Sequence, residues 1–213
     1  MTSRYYGELL ARLFIHSYAI ARRRGLDPSG ILDTPDLRAI LEDAVRGSAG
    51  SADRIAACIE AWFLAAHAEK GGPSYWPNLI RYEGALFRTE AVARVARQAV
   101  AAGTPGRRPI RRAVSARIIA LDHDLPALIV RLDRLNEGDP IPWAVPVKPT
   151  RLLVAMSPRG VLRVVRASDA LEGFLRTVDG ERDFDLVVAA SGSDPESARS
   201  VLKSLIEIGA VEE

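Results

Sequence analysis

Three histidines (His16, His67 and His123), one cysteine (Cys58) and the run Asp122-His123-Asp124 are the residues of this 213-residue chain with the types to do metal, nucleophilic or acid–base chemistry. Metal binding needs convergent ligands at characteristic spacings. No histidine here has another four residues away, and none stands beside a Cys-x-x-Cys. Consecutive side chains on a strand or turn point apart, so the tripeptide reads as a solvated turn. Cys58 falls within an apolar helical stripe, where a thiol serves as a small buried hydrophobe. No Gly-x-Ser-x-Gly elbow, Walker loop or dinucleotide-binding glycine fingerprint occurs. The expectation is a chain that is not itself an enzyme and holds no cofactor or metal.

The elements that would position any site fall into three stretches. Residues 1–103 carry four segments of 3.6-residue apolar period. The first, 3–24, places Tyr6, Leu10, Leu13, Phe14 and Ser17 on one face. Thr34-Pro35-Asp36 announces the second, with a capping hydroxyl, a proline at the first helical position and an early acid. Ile55, Cys58, Ile59, Trp62, Phe63 and Ala66 mark the third, and Leu79, Tyr82, Leu86, Val92 and Val95 the fourth. Short loops between them predict a helical bundle. Glu83, near the apolar face of the fourth helix, reads as a buried group satisfied by an arginine such as Arg88, ahead of a partner-contact residue.

Residues 104–150 read as a connecting segment with a strand within 113–121 and a helix over 124–135. Pro140, Pro142, Pro146 and Pro149 then favour extended chain. Trp143 in that run is expected to fold back onto one of the domains. Residues 151–213 are the most legible. A strand over 151–156, a turn at Ser157-Pro158-Arg159-Gly160 and a return strand over 161–166 make a hairpin. Ser168 caps a helix carrying Leu171, Phe174, Leu175 and Val178. A short helix covers 184–190, and Asp194-Pro195 opens a last one, with Ala198, Val201, Leu202, Leu205 and Ile208 inward and Gly209 at its end. Ala210-Val211 would close the sheet. The fold class is mainly α with a small β-sheet: an N-terminal helical bundle plus a C-terminal winged-helix-like domain.

Composition narrows the partners. The chain is 48% apolar, 26% charged and 6% aromatic, with a net charge of +2, so no strong overall field draws it to nucleic acid or anionic lipid. Only Lys70, Lys148 and Lys203 are lysines among 29 basic residues. That arginine bias fits a GC-rich genome. A single cysteine forms no intrachain disulfide, no segment reads as a signal peptide, and no apolar run is long enough to span a bilayer. A cytoplasmic protein is expected.

A winged helix commonly reads DNA with its third helix. The exposed face expected for the last helix, Glu196, Arg199, Ser200, Lys203 and Glu207, sets two acids against two bases and suits phosphates poorly. A DNA-binding regulator is therefore the alternative reading, and a free-standing small-molecule enzyme the next. The competing use is peptide capture by strand addition. Val161, Arg163 and Val165 alternate with Leu162, Val164 and Arg166, giving each face apolar grip and one arginine. The pattern fits a strand covered by the rest of the chain equally well.

Residues 151–211 resemble the PqqD-like recognition elements of ribosomally made, modified peptide (RiPP) pathways. The likeness rests on the hairpin, Asp179-Gly180-Glu181-Arg182 and the exit through Val201-Leu202 to Gly209-Ala210-Val211. Tyr75-Trp76-Pro77-Asn78-Leu79-Ile80-Arg81-Tyr82-Glu83-Gly84-Ala85-Leu86 is similar to the aromatic-rich helix of small partner proteins of multinuclear non-haem iron oxidative enzymes. The resemblance implies a heterodimer with an iron-dependent peptide-modifying enzyme, the iron belonging to that partner. It also implies leader-peptide binding by Val161, Leu162, Arg163, Val164, Val165 and Arg166 together with Arg199, Lys203 and Ile206. Tyr75 and Trp76 would contact the partner enzyme. Arg107, Arg108, Arg111 and Arg112, the densest basic run, read either as a solvated loop or as a contact for an acidic leader or enzyme rim. The resemblance is weakest over 107–150.

Overall fold

The computed structural model describes residues 12–45, 50–100, 109–135 and 139–212. The chain divides into two compact units, 1–88 with 121–150, and 89–120 with 151–213. This corrects the expected division at 103 and 150. Both units are discontinuous, and the stretch expected to connect two domains is shared between them.

The first unit is helical. It contains α1 (Ile15–Arg23), a 3-10 turn (Pro28–Asp33), α2 (Pro35–Val45), α3 (Ser51–Lys70), the start of α4 (Trp76–Val100) and α5 (Leu125–Leu132). The beginning of the first expected helix lies outside the described residues. Phe14, Ile20, Leu37, Ile55, Ile59, Phe63, Leu79 and Phe87 are buried, as their spacing requires. Aromatic rings dominate the core, with Phe14 stacked on Phe63 at 5.6 Å and Phe63 tilted against Trp76 at 6.5 Å between centroids. Gly84 lets α3 and α4 approach, because a Cβ there would overlap the Glu60 carboxylate. Glu60 in turn takes both terminal nitrogens of Arg88.

The proline-containing segment 139–149 holds no helix or strand, and it belongs to this unit. Trp143 accepts the Ser74 N–H at 3.1 Å through its carbonyl, Arg24 sits 5.1 Å over its ring, and Lys148 N–H bonds the Asp122 carbonyl at 2.8 Å.

The second unit contains the rest of α4, then β1 (Arg111–Arg112), β2 (Arg117–Leu121), β3 (Thr150–Met156), β4 (Leu162–Arg166), α6 (Asp169–Arg176), α7 (Phe184–Ala190), α8 (Pro195–Ile208) and β5 (Val211–Glu212). Each of its three short helices starts at a side-chain cap, Ser168 accepting from Leu171 N–H at 3.1 Å, Asp183 from Leu186 N–H at 3.0 Å and Asp194 from Ser197 N–H at 2.9 Å. Leu153, Ala155, Phe174, Leu175, Val187, Leu202 and Leu205 form the core between sheet and helices. Val201, expected inward, is 37% exposed. Gly209 ends α8 at φ 76°, and a Cβ there would overlap the Met156 carbonyl, so both conformation and space demand glycine.

Among the described residues there are two sheets. One has strand order β2-β3-β4, and the other pairs β1 with β5. Val211 therefore closes a sheet with Arg111–Arg112 and not with the hairpin. The molecule is mainly α with small sheets. Among the described residues, no helix is long and apolar enough to cross a membrane.

Candidate functional site

The β3–β4 hairpin owes its site geometry to register. Leu152 lies opposite Arg166, Leu153 opposite Val165, Val154 opposite Val164, Ala155 opposite Arg163 and Met156 opposite Leu162. Just beyond the strands, Ala167 N–H donates to the Arg151 carbonyl and Ser157 N–H to the Val161 carbonyl, both at 2.9 Å. Bonded and non-bonded pairs alternate along an antiparallel ladder. Leu153 with Val165 and Ala155 with Arg163 are therefore the bonded pairs. The N–H and C=O groups of Leu162, Val164 and Arg166 point away from β3. Since β4 is the terminal strand, they point out of the sheet. The Leu162 and Val164 amides have no acceptor among the described residues.

The same register sorts the side chains. Leu153 and Ala155 are fully buried in the core under the helices, so Val165 and Arg163 share that face, and Val165 packs against the core's margin. Leu162, Val164 and Arg166 take the opposite face. Val161 is 47% exposed, Leu162 and Val164 are half-buried, and Arg163 and Arg166 are exposed. On α8, Lys203 is exposed and Ile206 packs beside the same core as Val165. Arg199 donates to Asp185 on α7 at 2.8 Å, a pair between two exposed side chains.

The residues expected to meet a partner enzyme fare differently. Tyr75 and Trp76 are fully buried in the first unit, so they build the core and present nothing to a partner. Burial pushes the Tyr75 phenol up to about 12. Arg111 and Arg112 lie on β1 and not in a loop; Arg111 pairs with Glu212 at 2.9 Å, and Arg112 donates to the Ala116 carbonyl at 3.2 Å. Arg107 and Arg108 lie outside the described residues.

Titratable groups cluster in the first unit in ways the sequence did not announce. Glu83, only 1% exposed, does not pair with Arg88. Its carboxylate accepts the backbone N–H groups of His16 at 2.9 Å and Ser17 at 3.2 Å, capping the start of α1 from α4. The His16 ring reaches the same carboxylate at 3.2 Å and Asp133 at 2.9 Å. Burial opposes the charge on His16, but the hydrogen bonds to Glu83 and Asp133 outweigh it and raise the imidazole pKa above its ordinary value.

His123 is buried and hydrogen-bonds Asn78 at 3.2 Å, while Asn78 also accepts the Asp122 N–H at 2.9 Å. In the expected solvated turn, His123 is therefore packed while Asp122 remains exposed. Cys58 is half-buried, and desolvation, followed by the charge of Asp36, raises its thiol pKa, away from nucleophilic reactivity. Among the described residues, no three His, Cys, Asp or Glu side chains are grouped to hold a metal ion. No protein-family model matches the chain, and no curated protein is significantly similar to it.

Proposed function

We propose that this chain is a non-catalytic substrate-recognition subunit working in the cytoplasm. It binds the leader of a ribosomally made precursor peptide along β4 and presents that peptide to an iron-dependent peptide-modifying enzyme. The outward-facing amides of Leu162 and Val164 on a terminal strand carry this reading, since such groups form the ladder a peptide strand completes. The likeness of residues 151–211 to peptide-recognition elements supports the class of ligand, and that of residues 75–86 the class of enzyme. Holding the leader raises the effective concentration of the peptide's reactive part at the partner's iron. The iron is the partner's, and this chain supplies binding alone.

Four arginines and no carboxylate over residues 150–166 favour a second reading, a DNA-binding regulator using the hairpin as its wing. Against it, Glu196 and Glu207 stand on the exposed face of α8 and Arg199 is engaged by Asp185.

Coexpression with a precursor peptide and an iron-dependent peptide-modifying enzyme separates the two. The expected result is a complex of all three in which the peptide slows hydrogen exchange at the Leu162 and Val164 amides. Unchanged exchange there with peptide bound places the site elsewhere, and retardation of duplex DNA at low salt without peptide binding establishes the regulator.

A further inference from the structure

The β4 edge also has a side-chain code. A strand added to the outward groups of Leu162 and Val164 would bond at those positions. In antiparallel addition, residues opposite Arg163 and Val165 then sit in the non-bonded, close-approach pairs, with Cα atoms about 4.5 Å apart; in parallel addition the residues beside them still share their face. Arg163 and Val165 share the helix-bearing face, as their pairing with buried Ala155 and Leu153 requires. Val161 continues the alternation and is 47% exposed. That face of the edge therefore reads apolar, cationic, apolar at every second residue.

Charge on the hairpin is one-sided. Arg151, Arg159, Arg163 and Arg166 are its arginines, and residues 150–166 hold no Asp or Glu. On the neighbouring helix, Asp169 and Glu172 are both engaged by Arg151 at the far end of β3. Arg163 is exposed and has no carboxylate partner among the described residues.

Resting on the strand-addition reading above, we infer that β4 selects an extended peptide with the pattern apolar-x-acid-x-apolar, and that Arg163 reads the acid. The pattern is the same in both directions, so it holds for parallel and antiparallel addition alike. An arginine fork accepts a carboxylate in two bonds, and Val161 and Val165 on either side exclude water from that contact. Nucleic acid also seeks arginine, but phosphate oxygens cannot donate to the outward carbonyls of Leu162 and Val164 and gain nothing from the flanking valines.

The test is selection of a randomised peptide library on the full chain, with a labelled DNA duplex as competitor. The expected outcome is enrichment of Asp or Glu flanked two positions away by Val, Ile, Leu or Phe. Arg163→Gln should reduce the preference for acid about two- to fivefold, the range of one cross-strand charge pair. Arg163→Glu should turn it into a preference for Lys or Arg at the same position. Both substitutions are at an exposed site, and circular dichroism checks that each variant keeps its fold. Peptides enriched without the acid, with selection unchanged in both variants, refute the code while leaving strand addition standing. No peptide enriched at all, or displacement of every peptide by DNA, removes both.

Discussion

Proline scanning of β4 separates an edge that receives a strand from one that merely ends a sheet. Val164 directs its N–H out of the sheet, whereas Val165 directs its N–H to Leu153 on β3. Val164→Pro removes an outward donor and no ladder bond, and proline is tolerated on edge strands at such positions. Its cost to folding is therefore small. Its cost to peptide binding is one interstrand bond of about 0.5–1.5 kcal/mol net, a roughly 2- to 13-fold rise in Kd. Val165→Pro does the reverse. It deletes a ladder bond and leaves the Leu153 carbonyl without its donor, costing about 2–4 kcal/mol of stability. Fluorescence anisotropy with the coexpressed precursor's leader gives the first number and urea unfolding the second. Undiminished peptide affinity in a folded Val164→Pro protein, or equal loss of stability in both variants, would falsify the register argument and the site with it.

Other outcomes follow from the first unit and from the helix that closes the second. Glu83→Ala strands two backbone N–H groups at the start of α1 and should cost about 2–4 kcal/mol in urea unfolding; a loss below about 0.5 kcal/mol means that water reaches them. The raised pKa of His16 stabilises the fold fully below its unfolded value of about 6.5, and that contribution disappears as pH rises through the folded value. The stability gap between the native protein and His16→Ala should thus narrow from pH 5.5 to pH 8.5, both roughly chosen to bracket imidazole titration, and a constant gap shows that packing alone matters. Gly209→Ala forces a left-handed backbone on alanine and overlaps the Met156 carbonyl, so a loss above about 1–3 kcal/mol is expected in thermal unfolding.

Apolar period, caps and turn residues made most elements legible. The run from Ile55 to Ala66 lies on α3, and the hairpin and the short helix over 184–190 lie where their residues demand. Such signals are local, and hydrogen bonding within a helix or hairpin makes local pattern sufficient. The prolines of 140–149 likewise announced extended chain. Whether that chain linked two bodies or strapped one of them depended on bonds from Ser74 and Asp122, which nothing within the segment encodes.

The partner of Glu83 shows the same division. A carboxylate on an apolar face must be satisfied, and that much was plain from spacing. Its donors lie 66 and 67 residues away at a helix start, a pairing made only by packing α1 against α4. Tyr75 and Trp76, which the resemblance sets against a partner, are core residues, and aromatic residues serve cores and interfaces alike.

By itself, the sequence determined that 161–166 would be a strand with two apolar residues and one arginine on each face, since β-branched residues and period two act within a few residues. Only the tertiary structure decided that β2, far upstream of the hairpin in the chain, takes the far side of β3 and leaves β4 outermost. Strand order is a choice among distant backbone partners whose hydrogen-bonding groups are identical in every residue but proline. It is settled by which side chains can be buried together.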